Sequence, residues 1–247
     1  MTPLRWWLKQ LPWGVLATAL ALGQGAGVAS PLAHSAPPPI PLPEPAGQTL
    51  LMEATARRDH GPLAQWFETQ ANLAFCGVAS AVMALNSLAI PAPAAPGYGP
   101  YRFWTQSTVF SIPGSGGFVR QEEVVREGMT LAQLQGWLAQ RPDLVVERFH
   151  GDQLSLLQWR ALLQRSLNDP EDRLLVNYQR SALGQPGGGH ISPLAAYHAA
   201  SDRVLILDVA RYRYPAVWVR AEDLWQAMRT VDSSSGRSRG LVLIRRR

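Results

Sequence analysis

Residues 70–90, QANLAFCGVASAVMALNSLAI, set the chain's one cysteine, Cys76, immediately before a segment of helical periodicity. Val78, Val82, Leu85 and Ala89 recur at i, i+4, i+7 and i+11, one face of a helix that begins around Gly77 and is closed by Pro91. A thiol at that place meets free backbone N–H groups and the positive end of the helix dipole, both of which favour the thiolate. Gly77 leaves space for a substrate, and Gln70, upstream, carries an amide able to donate to an oxyanion. The competing reading of a lone cysteine is a small, inert, buried hydrophobe.

A thiolate nucleophile needs a base, and the base needs an acceptor that orients it. His190 follows three glycines, which are read as flexible, and opens the run ISPLAAY; Asp208 ends the run VLIL. A hairpin centred on residue 199 pairs these two directly. It puts His190, Ser192, Leu194 and Ala196 on one face with Asp208, Ile206 and Val204. Taken singly, a histidine after glycines reads as a surface loop residue and an aspartate at a strand end as a turn former. Together, Gln70, Cys76, His190 and Asp208 stand in the chain order of papain-like cysteine enzymes, with helix before sheet.

The rest of the domain agrees with that order. Thr130 and Gln133 resemble a capping box ahead of Leu131, Leu134 and Leu138, and residues 154–167 read as a helix with Leu157, Ala161 and Leu162 inward. Strands are predicted at 144–149, 173–178, 191–197, 204–209 and 241–244, with a helix at 222–228. The expected class is α+β: a helical first half packed on an antiparallel sheet, in two layers.

The 247 residues are 47% hydrophobic and 17% charged, enough for a packed core. One cysteine excludes an intramolecular disulfide, a cysteine-based zinc finger and an iron–sulfur cluster. The net charge of +5 comes from Arg5 and Lys9 and from Arg245, Arg246 and Arg247, so the body between is balanced and no nucleic-acid stripe is expected. Residues 1–29 have the basic, apolar and small-residue regions of a secretory signal, cut after Ala29, which implies a periplasmic protein. The alternative is an uncleaved membrane anchor. Residues 30–47 are proline-rich and read as a linker, with a single domain at 48–247.

Three stretches carry a family resemblance: residues 70–90 above, VNYQRSALGQPGGGHISPLAAY at 176–197 and LILDVARYRYPAVWV at 205–219. They resemble the catalytic domain of phytochelatin synthase, the glutathione γ-glutamylcysteinyltransferase. The resemblance implies a papain-like fold of clan CA type, with Cys76 as nucleophile, His190 as general base and acid, Asp208 orienting His190, and Gln70 as oxyanion donor. It implies glutathione as the substrate, glycine as the leaving group and a γ-Glu-Cys acyl-enzyme. Through the matching segments VNY and VDSSSGRSRG it also implies substrate binding by Asn177, Asp232 and Arg239. The sequence stops after the catalytic domain, without a cysteine-rich extension, and so looks like the short prokaryotic form. Hydrolysis to γ-Glu-Cys is then the expected main outcome and phytochelatin synthesis the lesser. The resemblance leaves the oligomeric state open, a homodimer included.

The five histidines show no zinc-type spacing; no protein metal site or required cofactor is expected, and ions such as cadmium would enter through substrate thiolates. The alternation Arg211, Tyr212, Arg213, Tyr214 reads as a strand edge near a substrate carboxylate rather than a grip on single-stranded nucleic acid. Two rival functions remain at this level: a secreted binding module with an inert cysteine, and a general papain-like peptidase.

Overall fold

The computed structural model describes residues 38–247; the predicted signal at 1–29 and the first part of the proline-rich stretch lie outside them. Strand β1 (Ile40–Pro41) and helices α1 (Pro45–Glu53), α2 (His60–Gln65), α3 (Cys76–Ser87), α4 (Gln121–Glu127) and α5 (Leu131–Leu138) come first. Then follow β2 (Leu144–His150), α6 (Leu156–Ser166), β3 (Asp172–Gln179), β4 (Gly189–His198), β5 (Arg203–Ile206) and β6 (Val217–Arg220). Helix α7 (Ala221–Arg229), the short β7 (Val231–Asp232) and β8 (Arg237–Ser238), and β9 (Gly240–Arg246) complete the chain. The class is α+β, with one antiparallel sheet in the order β1-β6-β5-β4-β3-β9-β2 and β7 paired with β8 beside it.

The fold begins earlier than the expected boundary at 48. Ile40 pairs with Trp218 on the sheet edge, the Leu42 N–H donates to the Ala216 carbonyl at 2.8 Å, and Pro45 starts α1. Proline suits both places, since an edge strand and the first turn of a helix can each do without an N–H.

Helices cover both faces of the sheet, so there are three layers rather than two. Leu174, Val176 and Tyr178 of β3 pack with Trp159 of α6 and Leu224 of α7, while Leu175 packs with Val78 of α3 and Trp137 of α5. Strand β3 is therefore buried without alternation over residues 172–178, with the apolar run 174–176 at its centre, as a strand covered on both faces must be. Helix α3 is buried all round, with Ala79 and Met83 in a further cluster, and its periodic face was only part of its buried surface. In α6 the inward residues are Trp159, Leu162, Leu163 and Ser166; Leu162 was expected there, whereas Leu157 and Ala161, also expected inward, face solvent. Strand β6 escaped prediction because Pro215 sits just before a run of only four residues.

Two capping boxes fix helix starts on either side of the sheet, Thr130 with Gln133 on α5, as expected, and Ser155 with Gln158 on α6. Each is worth about 1 kcal/mol. Among the described residues no helix is long and apolar enough to cross a membrane.

Candidate active site

Cys76 is the first residue of α3, with Phe75 at the N-cap. The helix is tied to the sheet by Ser80, a fully buried hydroxyl that contacts the Cys76 carbonyl at 2.7 Å and the Ile191 carbonyl at 3.1 Å. That tie aligns the start of α3 with the start of β4, where His190 lies. Burial pushes the Cys76 thiol up, but the hydrogen bond and charge of His190 and the backbone bonds to Ile191 and Gly77 prevail and hold it below its ordinary value.

His190 Nε2 lies 2.9 Å from Asp208 Oδ1. The Asp208 carboxyl is held far below the usual carboxylate range: burial opposes this, and hydrogen bonds from His190 and Arg180 outweigh it. An ionised carboxylate only accepts, so Nε2 carries the proton and Nδ1 is left for the thiol. Burial lowers the His190 imidazole, but its bonds to Asp208 and Cys76 prevail and raise it. A depressed thiol beside a raised imidazole is the condition for a thiolate–imidazolium pair.

The predicted hairpin register differs in detail. Leu194 pairs with Ile206, but a bulge follows, and Ala196 pairs with Leu205, Tyr197 with Val204 and His198 with Arg203. The bulge turns Ala196 into the opposite core cluster with Leu205. Asp208 lies beyond the end of β5 and reaches His190 from an irregular segment.

Two residues that sequence reasoning did not single out surround Asp208. Arg180 donates from Nη1 to Oδ2 at 2.7 Å and from Nη2 to Oδ1 at 2.9 Å, and its guanidinium stacks 4.3 Å from the Tyr214 ring centroid. Tyr178, the cross-strand partner of His190, donates to Asp208 Oδ2 at 3.4 Å and packs edge-on to the imidazole at 5.8 Å. The only sequence signal for Arg180 was its place just past a run of apolar strand residues. The alternation at 211–214 forms a turn, not a strand edge: Arg211 stacks on Phe67 and Tyr214 buttresses Arg180.

Two of the three glycines before His190 have geometric reasons. Gly187 has a φ of +135°, and a Cβ on Gly189 would lie 2.1 Å from Arg239 Nη1. Gly77 faces Met129 rather than open space, since its Cβ would lie 2.6 Å from Sδ.

A cleft of about 960 Å³ is lined by Cys76, His190, Asn177, Asp232 and Arg239, so those five expected residues meet in one place. Arg239 donates to Asn177 Oδ1 at 3.0 Å, lies 3.9 Å from Asp232 Oδ1, and leaves a buried Nε without a partner. Gln70 is buried, with Nε2 donating to the Asn72 carbonyl at 2.8 Å and Oε1 unpartnered. Glu123 and residues 125–129 also line the cleft and had no sequence signal, while Thr130 and Gln133, which line it too, were marked only as a capping box. Among the described residues no cluster of three or more His, Cys, Asp or Glu is placed to hold a metal ion.

The phytochelatin synthase family model matches residues 33–241. The chain belongs to the phytochelatin synthase family. It is 36% identical to glutathione gamma-glutamylcysteinyltransferase 1 of Triticum aestivum over 214 residues, 85% of this chain and 41% of that protein. It is 34% identical to the protein of that name from Lotus japonicus, over 85% of this chain and 41% of the relative. A glutathione gamma-glutamylcysteinyltransferase of Schizosaccharomyces pombe is 30% identical over 74% of this chain and 42% of the relative. This phytochelatin synthase family member thus spans about two fifths of the length of the curated relatives it matches.

Proposed function

We propose that the chain is a papain-like thiol acyl-transfer enzyme acting on glutathione. The observation that carries the reading is the meeting of Cys76 with His190, itself hydrogen-bonded to Asp208, in a cleft that also presents Asn177, Asp232 and Arg239. The Cys76 thiolate attacks the carbonyl carbon of the Cys–Gly peptide, forming a C–S bond as the carbonyl pi electrons move to oxygen. Gln70 uses one amide hydrogen on Asn72 and offers the other to that oxyanion. On collapse the C–N bond breaks, the His190 proton goes to the leaving amine, and glycine departs. Neutral His190 then takes a proton from the incoming nucleophile, water or a second glutathione, and the thiolate is regenerated.

Asp232 and Arg239 suit the amino-acid head of the γ-glutamyl group, a carboxylate for its ammonium and a guanidinium for its carboxylate. A heavy-metal ion such as cadmium enters as a thiolate complex of the substrate. The test is mass spectrometry of the protein with glutathione, with and without cadmium. A γ-Glu-Cys adduct on Cys76 with released glycine is expected; cleavage of ordinary peptides with glutathione left intact would overturn the reading.

Export to the periplasm belongs to the same proposal. Its support is the three-region composition of residues 1–29 and a family match that starts at residue 33. Periplasmic protein beginning at Ser30 is expected on N-terminal sequencing, and full-length protein confined to the cytosol would refute it.

A further inference from the structure

Of the residues lining the cleft, two are arginines, Arg239 and Arg126. Arg239 is buried and committed to Asn177 and Asp232. Arg126, in the last turn of α4, is exposed and makes no ion pair among the described residues. Its neighbour Glu123 is taken by Arg120 instead. We propose that Arg126 holds the carboxylate of the departing glycine, and so selects substrates that end in a free carboxylate at that residue.

The inference rests on the glutathione reading and extends it. Glutathione carries a carboxylate at each end, and the cleft offers one guanidinium beside Asp232 and a second on a different element. The glycine carboxylate lies only two bonds beyond the scissile nitrogen, so its partner must come from a segment next to Cys76. Arg126 does: Met129, three residues on and past the end of α4, occupies the space at Gly77, and Gly128 faces the Ala74 carbonyl. Glu123, Glu127 and Asp232 also line the cleft and would repel a second carboxylate left unpaired.

Single-turnover release from glutathione and from its C-terminal glycinamide analogue tests this in the parent, Arg126→Ala and Arg126→Lys. The parent is expected to favour glutathione about tenfold in kcat/KM, the value of one partly solvated charge-assisted contact. Arg126→Ala should lose that preference by slowing on glutathione alone, and Arg126→Lys should keep most of it. Rising salt should erode the parent's preference. An equal fall on both substrates, or no change on either, overturns the proposal while leaving the glutathione reading standing. A parent that releases neither glycine from glutathione nor glycinamide from the analogue overturns both.

Discussion

Arg180 grips Asp208 with two parallel hydrogen bonds, 2.7 and 2.9 Å long, and both residues are buried. The carboxylate therefore serves two cations, holding His190 on Oδ1 while Arg180 spans both oxygens. Replacing Arg180 by methionine strands much of that charge, and the expected loss is about 3 kcal/mol of stability. It would be read as a lower urea midpoint at unchanged slope. A carboxyl depressed in the folded state contributes its stability above its unfolded pKa and loses it as pH falls toward the folded one. The gap between parent and Arg180→Met should thus be full above about pH 5 and narrow below about pH 4. A gap that widens in acid would contradict this assignment.

The thiol should react as a thiolate at neutral pH. Because Cys76 is lowered chiefly by its bond to His190 against the pull of burial, iodoacetamide alkylation should reach its plateau below the ordinary thiol value of about 8.5. In His190→Ala the lowering partner is gone and burial remains, so the inflection should move above that value. The pH profile of glycine release in the parent should be a bell, rising with the Cys76 ionisation and falling with that of His190. A parent inflection at or above 8.5 would remove the ion pair from the mechanism.

Cys76 and His190 should behave as one unit. Cys76→Ser is expected to abolish glycine release with the fold intact, since a serine hydroxyl is not ionised in a setting tuned for a thiol. His190→Ala should be nearly as damaging, and the double variant no slower than about the worse single one. Residual activity above about a tenth in Cys76→Ser, or multiplying losses in the double variant, would count against the assignment.

Much of the site was legible because chain order, a helix start and a glycine-flanked histidine are local signals. Cys76, His190 and Asp208 were named from those signals, whereas Asn177, Asp232 and Arg239 came only from the family resemblance. What was hidden depends on distant packing. Arg180 reaches Asp208 across 28 positions, and nothing in its own neighbourhood distinguishes it from a surface arginine. The bulge at Leu194 to Ala196 alters the register without altering the apolar pattern that predicted the strand. The inward face of α6 was caught only at Leu162, because Leu157, an exposed leucine, outweighed Trp159 in the periodicity.

Gly77 shows how a residue read as space for substrate is better explained by its neighbour. A Cβ there would lie 2.6 Å from Met129 Sδ, 2.9 Å from its Cγ and 3.3 Å from Ile191 Cδ1. The two nearest atoms belong to a flexible thioether, so Gly77→Ala should displace Met129 at a cost of only about 1 kcal/mol. Met129 lines the cleft, and moving it disturbs the place where the scissile peptide must lie. The expected result is a fall of about tenfold in kcat/KM for glycine release, with thermal stability little changed. Shortening the obstructing side chain in Gly77→Ala/Met129→Ala should restore most of that rate. If the double variant stays as slow as the single one, the loss at Gly77 must arise from its backbone, which also bonds the Cys76 thiol, and not from Met129.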